Sequence, residues 1–129
     1  MSVRVVRLGT PRLADEGVRI GTVRRPPRGV ARSDFAKRDF FDVWLPELAP
    51  SPQLFASARS GPLTAARWKR FAIRYLSEMR RPEARHLIAT LAALSHQSDF
   101  SVGCYCEDAS HCHRSLLRDL LVESGAHVR

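Results

Sequence analysis

Long hydrophobic runs are missing from this 129-residue chain. No apolar stretch approaches the roughly 18 residues that a membrane-spanning helix needs, so no such span is expected. Residues 1–7 lack the extended apolar segment of a secretory signal. Cysteine is scarce: three residues, an odd number, two of them only two positions apart. A secreted disulfide framework does not fit that count, and a reduced, cytoplasmic setting is expected. Lysine is scarcer still, with two residues against nineteen arginines. Aromatic residues make up 8% of the chain. They are not interleaved with the basic residues as base-stacking platforms would be. Internal repeats, low-complexity tracts and flexible linkers are absent. So are zinc-finger spacing, a ribonucleoprotein signature and a clear helix-turn-helix. A collagen, a coiled coil and a knottin are excluded on composition.

What remains is a globular balance, with 44% hydrophobic and 26% charged residues. The length suits a single domain over residues 1–129. Net charge is +8, and it is uneven: residues 1–40 carry ten basic and four acidic side chains. Arg24, Arg25, Arg28, Arg32, Lys37 and Arg38 crowd one stretch. Such a cluster attracts phosphate, in a small ligand or in nucleic acid. Equally, it suits a solvated surface.

The pattern of residues gives an element order. Residues 3–8 are short and β-branched, and residues 17–23 alternate apolar with polar, so both read as strands. Pro26 and Pro27 make the following stretch a loop. Phe40, Phe41, Trp44, Leu45 and Leu48 suggest short helical pieces, followed by another over 52–59. A clear helix begins after Thr64, a good N-cap. Its stripe of Trp68, Phe71, Ala72, Tyr75 and Met79 reads as core. Pro82 opens the next helix, and Leu87, Ile88, Leu91 and Leu94 form its stripe. Residues 100–106 read as a buried strand, and residues 111–124 as a last helix closed by Gly125. Strands separated by helices predict an α/β fold: a small three-layer sandwich whose short, partly parallel sheet is flanked by helices.

The turn from the last strand to the last helix concentrates the chemistry. Cys104, Cys106, Glu107, Asp108, Ser110, His111, Cys112, His113, Arg114 and Ser115 fall within twelve positions. Ligands in open α/β sheets bind beyond the carboxyl ends of strands. A helix N-terminus there offers free N–H groups and a positive dipole end. With Ser110 as N-cap, these groups and Arg114 suit a phosphate or carboxylate. Cys112 in the first helical turn, between His111 and His113, is expected to have a lowered pKa. Glu107 is a candidate acid or base. The arrangement does not match the Cys-x5-Arg loop of cysteine phosphatases, because Cys106 and Cys112 precede Arg114 by eight and two residues. Cys106, His111, Cys112 and His113 also offer ligands to a transition metal, although no Cys-x2-Cys pair is present. Cys106 and Cys112 are the better redox pair, since Cys104 and Cys106 are poorly disposed within one regular strand. Cys104 alone reads as core.

Three blocks carry a family resemblance. They are Pro27-Arg28-Gly29-Val30, then Trp44-x3-Leu48-Ala49-Pro50-Ser51-x2-Leu54, and finally Phe71-x3-Tyr75 leading to Cys106-Glu107-x4-Cys112-His113-Arg114. Together they span nearly the whole chain. With them the chain resembles the YeaO-like group of domain-of-unknown-function family 488, small bacterial and archaeal proteins. It has Pro26 where that family usually carries Trp. The resemblance implies a three-layer α/β fold and a polar pocket near the Arg28 loop and the Cys112–Arg114 turn. It implies no reaction.

The leading expectation is therefore an anion pocket. Arg28, Arg114, Ser110 and Ser115 would bind the ligand, beside Cys112, His113 and Glu107 as catalytic candidates. The metal or redox module is the first alternative. Nucleic-acid binding through Arg24, Arg25 and Arg28 is the second.

Overall fold

The computed structural model describes residues 1–108 and 111–129. Its strands are β1 (Val3–Arg7), β2 (Val18–Gly21), β3 (Val43–Trp44) and β4 (Phe100–Cys104), in the spatial order β1-β4-β2-β3. All pairings among the described strands are parallel, so the sheet is more uniformly parallel than expected. Parallel neighbours need long crossovers. Helices α1 (Pro52–Ala58), α2 (Ala65–Glu78) and α3 (Pro82–Leu94) lie between β3 and β4, and α4 (His113–Glu123) follows β4. The α/β architecture read from the sequence is the one found.

Local chemistry sets the boundaries. The Ser51 hydroxyl accepts from the Leu54 N–H, and the Thr64 hydroxyl accepts from the Arg67 N–H, each at 3.2 Å. Pro82 occupies the first turn of α3. Residues 40–48 differ from expectation. Val43 and Trp44 pair with Ile20 and Gly21 as an edge strand, and only Pro46–Leu48 forms a 3-10 turn. The strand is fixed by the Asp42 N–H donating to Arg19 O (2.8 Å) and the Leu45 N–H donating to Gly21 O (2.9 Å). Pro46 has no N–H and ends the ladder.

One sheet face buries Ile20, Phe100 and Val102 against Leu54, Tyr75, Met79, Ile88, Leu91, Leu117 and Leu121 from the four helices. The other alternation set meets loops instead. Gly103 packs against Val6 and Leu8, and Gly21 against Phe41. On that face Arg19 and Glu16 form a fully buried ion pair, with Nε–Oε2 2.7 Å and Nη2–Oε1 2.8 Å. The Ser101 hydroxyl donates to the same carboxylate at 2.8 Å. Arg19 Nη1 also donates to Thr10 O (2.8 Å) and Asp39 O (2.7 Å), which tie both covering loops to the sheet. No described helix is long and apolar enough to cross a membrane.

Candidate functional site

The carboxyl end of β4 runs directly into the site. Cys104 is the last residue of that strand, and Cys112 is the residue that caps α4. Helix α4 therefore starts two residues later than expected. Cys112 precedes the first helical turn, in extended conformation with no side-chain capping bond. Ser110, the expected cap, lies outside the described residues. The Ser115 hydroxyl donates to Cys112 O at 2.8 Å. It closes the helix start and does not line the cavity described below.

The three cysteines converge. Cys112 Sγ is 3.2 Å from Cys104 Sγ, which is 3.5 Å from Cys106 Sγ. All three sulfurs lie within 4.8 Å of one another. None is in a disulfide; Cys104 and Cys112 are buried and Cys106 is exposed. The contacts form a relay in which Cys112 S–H donates to Cys104 and Cys104 S–H donates to Cys106. Cys106 receives without giving. Donation from Cys104, then from Cys112, with the charge of Arg114 added, pulls its thiol far below the ordinary range. The donors move the other way. Cys104 rises to about 11, chiefly through its bond to Cys106. Cys112 is also raised, through its bond to Cys104, then Cys106, then burial. The lowered thiol expected at Cys112 is thus found at Cys106, because Cys112 is buried against two other sulfurs.

His113 is buried. Its Nε2 lies 2.6 Å from the carbonyl oxygen of Thr22, the residue just after β2. A carbonyl only accepts, so Nε2 carries the proton and Nδ1 is the unprotonated nitrogen of the neutral ring. Nδ1 lies 3.8 Å from Cys112 Sγ. Burial lowers the His113 pKa and keeps the ring neutral. Arg114 is 95% buried by residue. Its Nε has no hydrogen-bond partner, and no described residue bonds or ion-pairs with its guanidinium. Such an orphaned buried donor is uncommon, and a charged one more so.

An open cavity of about 1080 Å³ lies over this turn. Cys104, Cys106, His111, Cys112 and His113 form one part of its lining. Phe40, Phe55, Trp68, Phe71 and Tyr105 form another, and Arg24, Arg25, Arg28 and Arg59 a third. The structure thus brings Arg28 and the Cys112–His113 turn to one cavity, although about eighty residues separate them in sequence. Arg25 and Arg28 are exposed, and their guanidiniums have no partner among the described residues. Arg24 instead donates to Pro50 O (2.9 Å) and Ala49 O (3.3 Å), so it holds the loop.

Several expected residues stand elsewhere. Glu107 is exposed, faces Arg7 at 3.4 Å and does not line the cavity. His111 lines it, with Nδ1 2.8 Å from Asp108 Oδ2 and its ring edge-on to Trp68. The α2 stripe is divided: Tyr75 and Met79 are core, Phe71 packs against that core and also lines the cavity, and Trp68 is a half-buried cavity wall. Tyr75 donates its hydroxyl to Leu48 O at 2.7 Å, away from the site. Sequence reasoning missed the walls because helical spacing shows which residues share a face, and not what that face meets.

Residues 3–125 match the family model DUF488-N3a, described as the active DUF488-N3 subclade. The chain belongs to the DUF488 family. The match covers every strand and helix of the fold and the whole Cys106–Arg114 turn, so this DUF488 domain accounts for the site as well as the scaffold. No curated protein and no solved structure matches the chain.

Proposed function

We infer that this DUF488 chain binds a small anionic molecule in the cavity over the β4–α4 turn. One observation carries the reading: four arginines line the cavity, and no described aspartate or glutamate does. The Arg25 and Arg28 guanidiniums have no partner among the described residues to give up on binding. Arginine presents a planar fork of donors matched to phosphate or carboxylate. The aromatic walls add a preference for a ligand with a flat apolar part beside its charged group, since mostly apolar pockets fix ligands through a few placed polar groups. The volume suits a nucleotide-sized molecule. Arg28 is the principal anion contact. The positive cavity rim leaves Glu107 without a role in the ligand site.

Calorimetric titration with adenosine monophosphate and with inorganic phosphate at low salt tests this. Both are expected to bind, the nucleotide more tightly. Removing a charge-assisted contact costs about 1.5–3 kcal/mol, so Arg28→Ala should weaken both by about tenfold or more. Trp68→Ala should weaken the nucleotide alone. Absence of heat from either ligand at millimolar concentration, or full affinity in Arg28→Ala, rejects the pocket.

A further inference from the structure

We propose that Cys104, Cys106, Cys112 and His113 form a tetrahedral site for zinc, with three sulfurs and His113 Nδ1 as ligands. The inference goes beyond the anion pocket and does not depend on it, since no arginine of the cavity rim takes part.

Distances come first. Zinc bound to sulfur at about 2.3 Å and to imidazole at about 2.0–2.1 Å sets S···S near 3.8 Å and S···N near 3.6 Å in a tetrahedron. The measured separations are 3.2 and 3.5 Å between sulfurs and 3.8 Å from Cys112 Sγ to His113 Nδ1. The third sulfur pair falls within 4.8 Å. Closing the three sulfurs around an ion asks for shifts of up to about 0.6 Å at the measured pairs, whereas His113 Nδ1 lies outside the group of atoms within 4.8 Å of one another and has to move in from its place beside Cys112 to complete the set.

The histidine is prepared for the task. A metal-bound imidazole nearly always donates its other N–H to a carbonyl or carboxylate, which fixes tautomer and ring plane. Here Nε2 meets Thr22 O at 2.6 Å, leaving Nδ1 as the nitrogen beside the sulfurs. The Thr22 carbonyl is itself held in place, because the Thr22 N–H and hydroxyl both donate to Gly103 O, at 2.9 and 3.0 Å.

Charge supplies an independent argument. Zinc with three thiolates and a neutral imidazole carries a net charge of −1 by formal valence. Arg114, adjacent in sequence to His113, is buried, its Nε has no hydrogen-bond partner among the described residues, and its charge already acts on the Cys106 thiol. A guanidinium stays protonated in proteins, so it cannot escape burial by neutralising. A metal thiolate centre of net negative charge at these cysteines would be a counter-charge for it. The donor set selects the ion: soft thiolates with one imidazole in tetrahedral array favour zinc over magnesium, calcium or manganese. Four protein ligands leave no open position, which marks a structural clamp. The clamp would join the end of β4, Cys106 and the start of α4, and so brace that part of the cavity lining.

The set differs from the one suggested by residue type alone, which used His111 where the geometry uses Cys104. His111 Nδ1 is bonded to Asp108, and its ring meets Trp68.

Cobalt(II) is a coloured substitute for zinc. Reduced, chelator-treated protein should take up one equivalent, with an intense thiolate-to-cobalt band in the near ultraviolet and the strong visible bands of a tetrahedral ion. One equivalent of zinc should bleach both. Cys106→Ser is the safest ligand variant, because Cys106 is exposed; it should lose about a third of the charge-transfer intensity and more than tenfold in affinity. Cys104→Ser should do the same if circular dichroism shows it folded. His111→Ala and Arg28→Ala should keep the wild-type spectrum, so a failed anion pocket and a failed metal site give different results. Folded wild-type protein with three reduced thiols and no charge-transfer band at one equivalent overturns the proposal. So does an unchanged spectrum in Cys106→Ser.

Discussion

Replacing Arg19 with methionine should be among the most damaging single changes available on the loop-covered face of the sheet. The wild-type pair is buried, with 1% and 2% of the Arg19 and Glu16 side chains exposed. Removing the arginine leaves the Glu16 carboxylate with Ser101 as its remaining side-chain donor. Breaking a buried pair this way costs about 3–5 kcal/mol. Thr10 O loses its guanidinium donor as well, whereas Asp39 O keeps the Gly9 N–H. A domain of this size has about 5–15 kcal/mol in total, so the loss is a large share of it. At roughly 3–5 °C per kcal/mol for this length, the midpoint should fall by about 10–20 °C. The Glu16→Leu/Arg19→Met double variant removes both charges. It leaves only orphaned polar groups, at about 1–3 kcal/mol for a buried one, and should be the more stable of the two variants. Acid should narrow the gap between wild type and Arg19→Met. In the wild type, Glu16 is depressed below its ordinary value of 4.5: burial pushes it up, but the bonds from Arg19 and Ser101 outweigh that. Its contribution is complete above that pH and is lost as pH falls through the folded value. In the variant the unpaired buried carboxyl is raised, so protonation favours its folded state. Denaturant unfolding between neutral pH and pH 4 measures all of this. A double variant no more stable than Arg19→Met, or a gap that widens in acid, would refute the reasoning. Because Arg19 also holds Asp39 O, next to the cavity wall Phe40, weakened nucleotide binding should accompany the loss.

In the metal-free, reduced protein, iodoacetamide should label Cys106 alone under native conditions. Its rate should stay nearly flat from pH 8.5 down to pH 6, where an ordinary thiol slows about tenfold per pH unit; mass spectrometry locates the adduct, and labelling that falls with an ordinary thiol slope contradicts the relay. Tyr75→Phe removes the buried donor to Leu48 O and should cost about 1–3 kcal/mol in denaturant unfolding, with anion affinity unchanged. Gly103→Ala should destabilise by roughly 1–3 kcal/mol, since a Cβ there would lie 2.7 Å from the Val6 carbonyl oxygen; a neutral result would show that the β1–β4 pair can spread.

The sequence by itself determined the order of the elements other than the edge strand β3, the Thr64 cap, the Pro82 helix start, the family, and the turn where cysteine, histidine and arginine gather. These rest on local chemistry: alternation, helical spacing, capping hydroxyls and proline, all short-range along the chain. The strand expected over residues 100–106 ends at Cys104, so Cys106 reaches the other sulfurs from beyond the strand and not through i, i+2 alternation on it. What Cys104 faced was not legible, because an apolar strand residue looks the same whether it meets core or two further sulfurs. The edge strand at Val43 and Trp44 was hidden for a like reason: two residues carry no period, and their pairing with β2 is a long-range fact. Tertiary structure alone carried Arg28 to the cysteine turn, made Trp68 a cavity wall, and sent Glu107 out to Arg7. It also buried Arg114 with its Nε unpartnered among the described residues. Each of these depends on which distant surface a side chain meets once parallel strands have been joined by long crossovers, and no local pattern encodes that meeting.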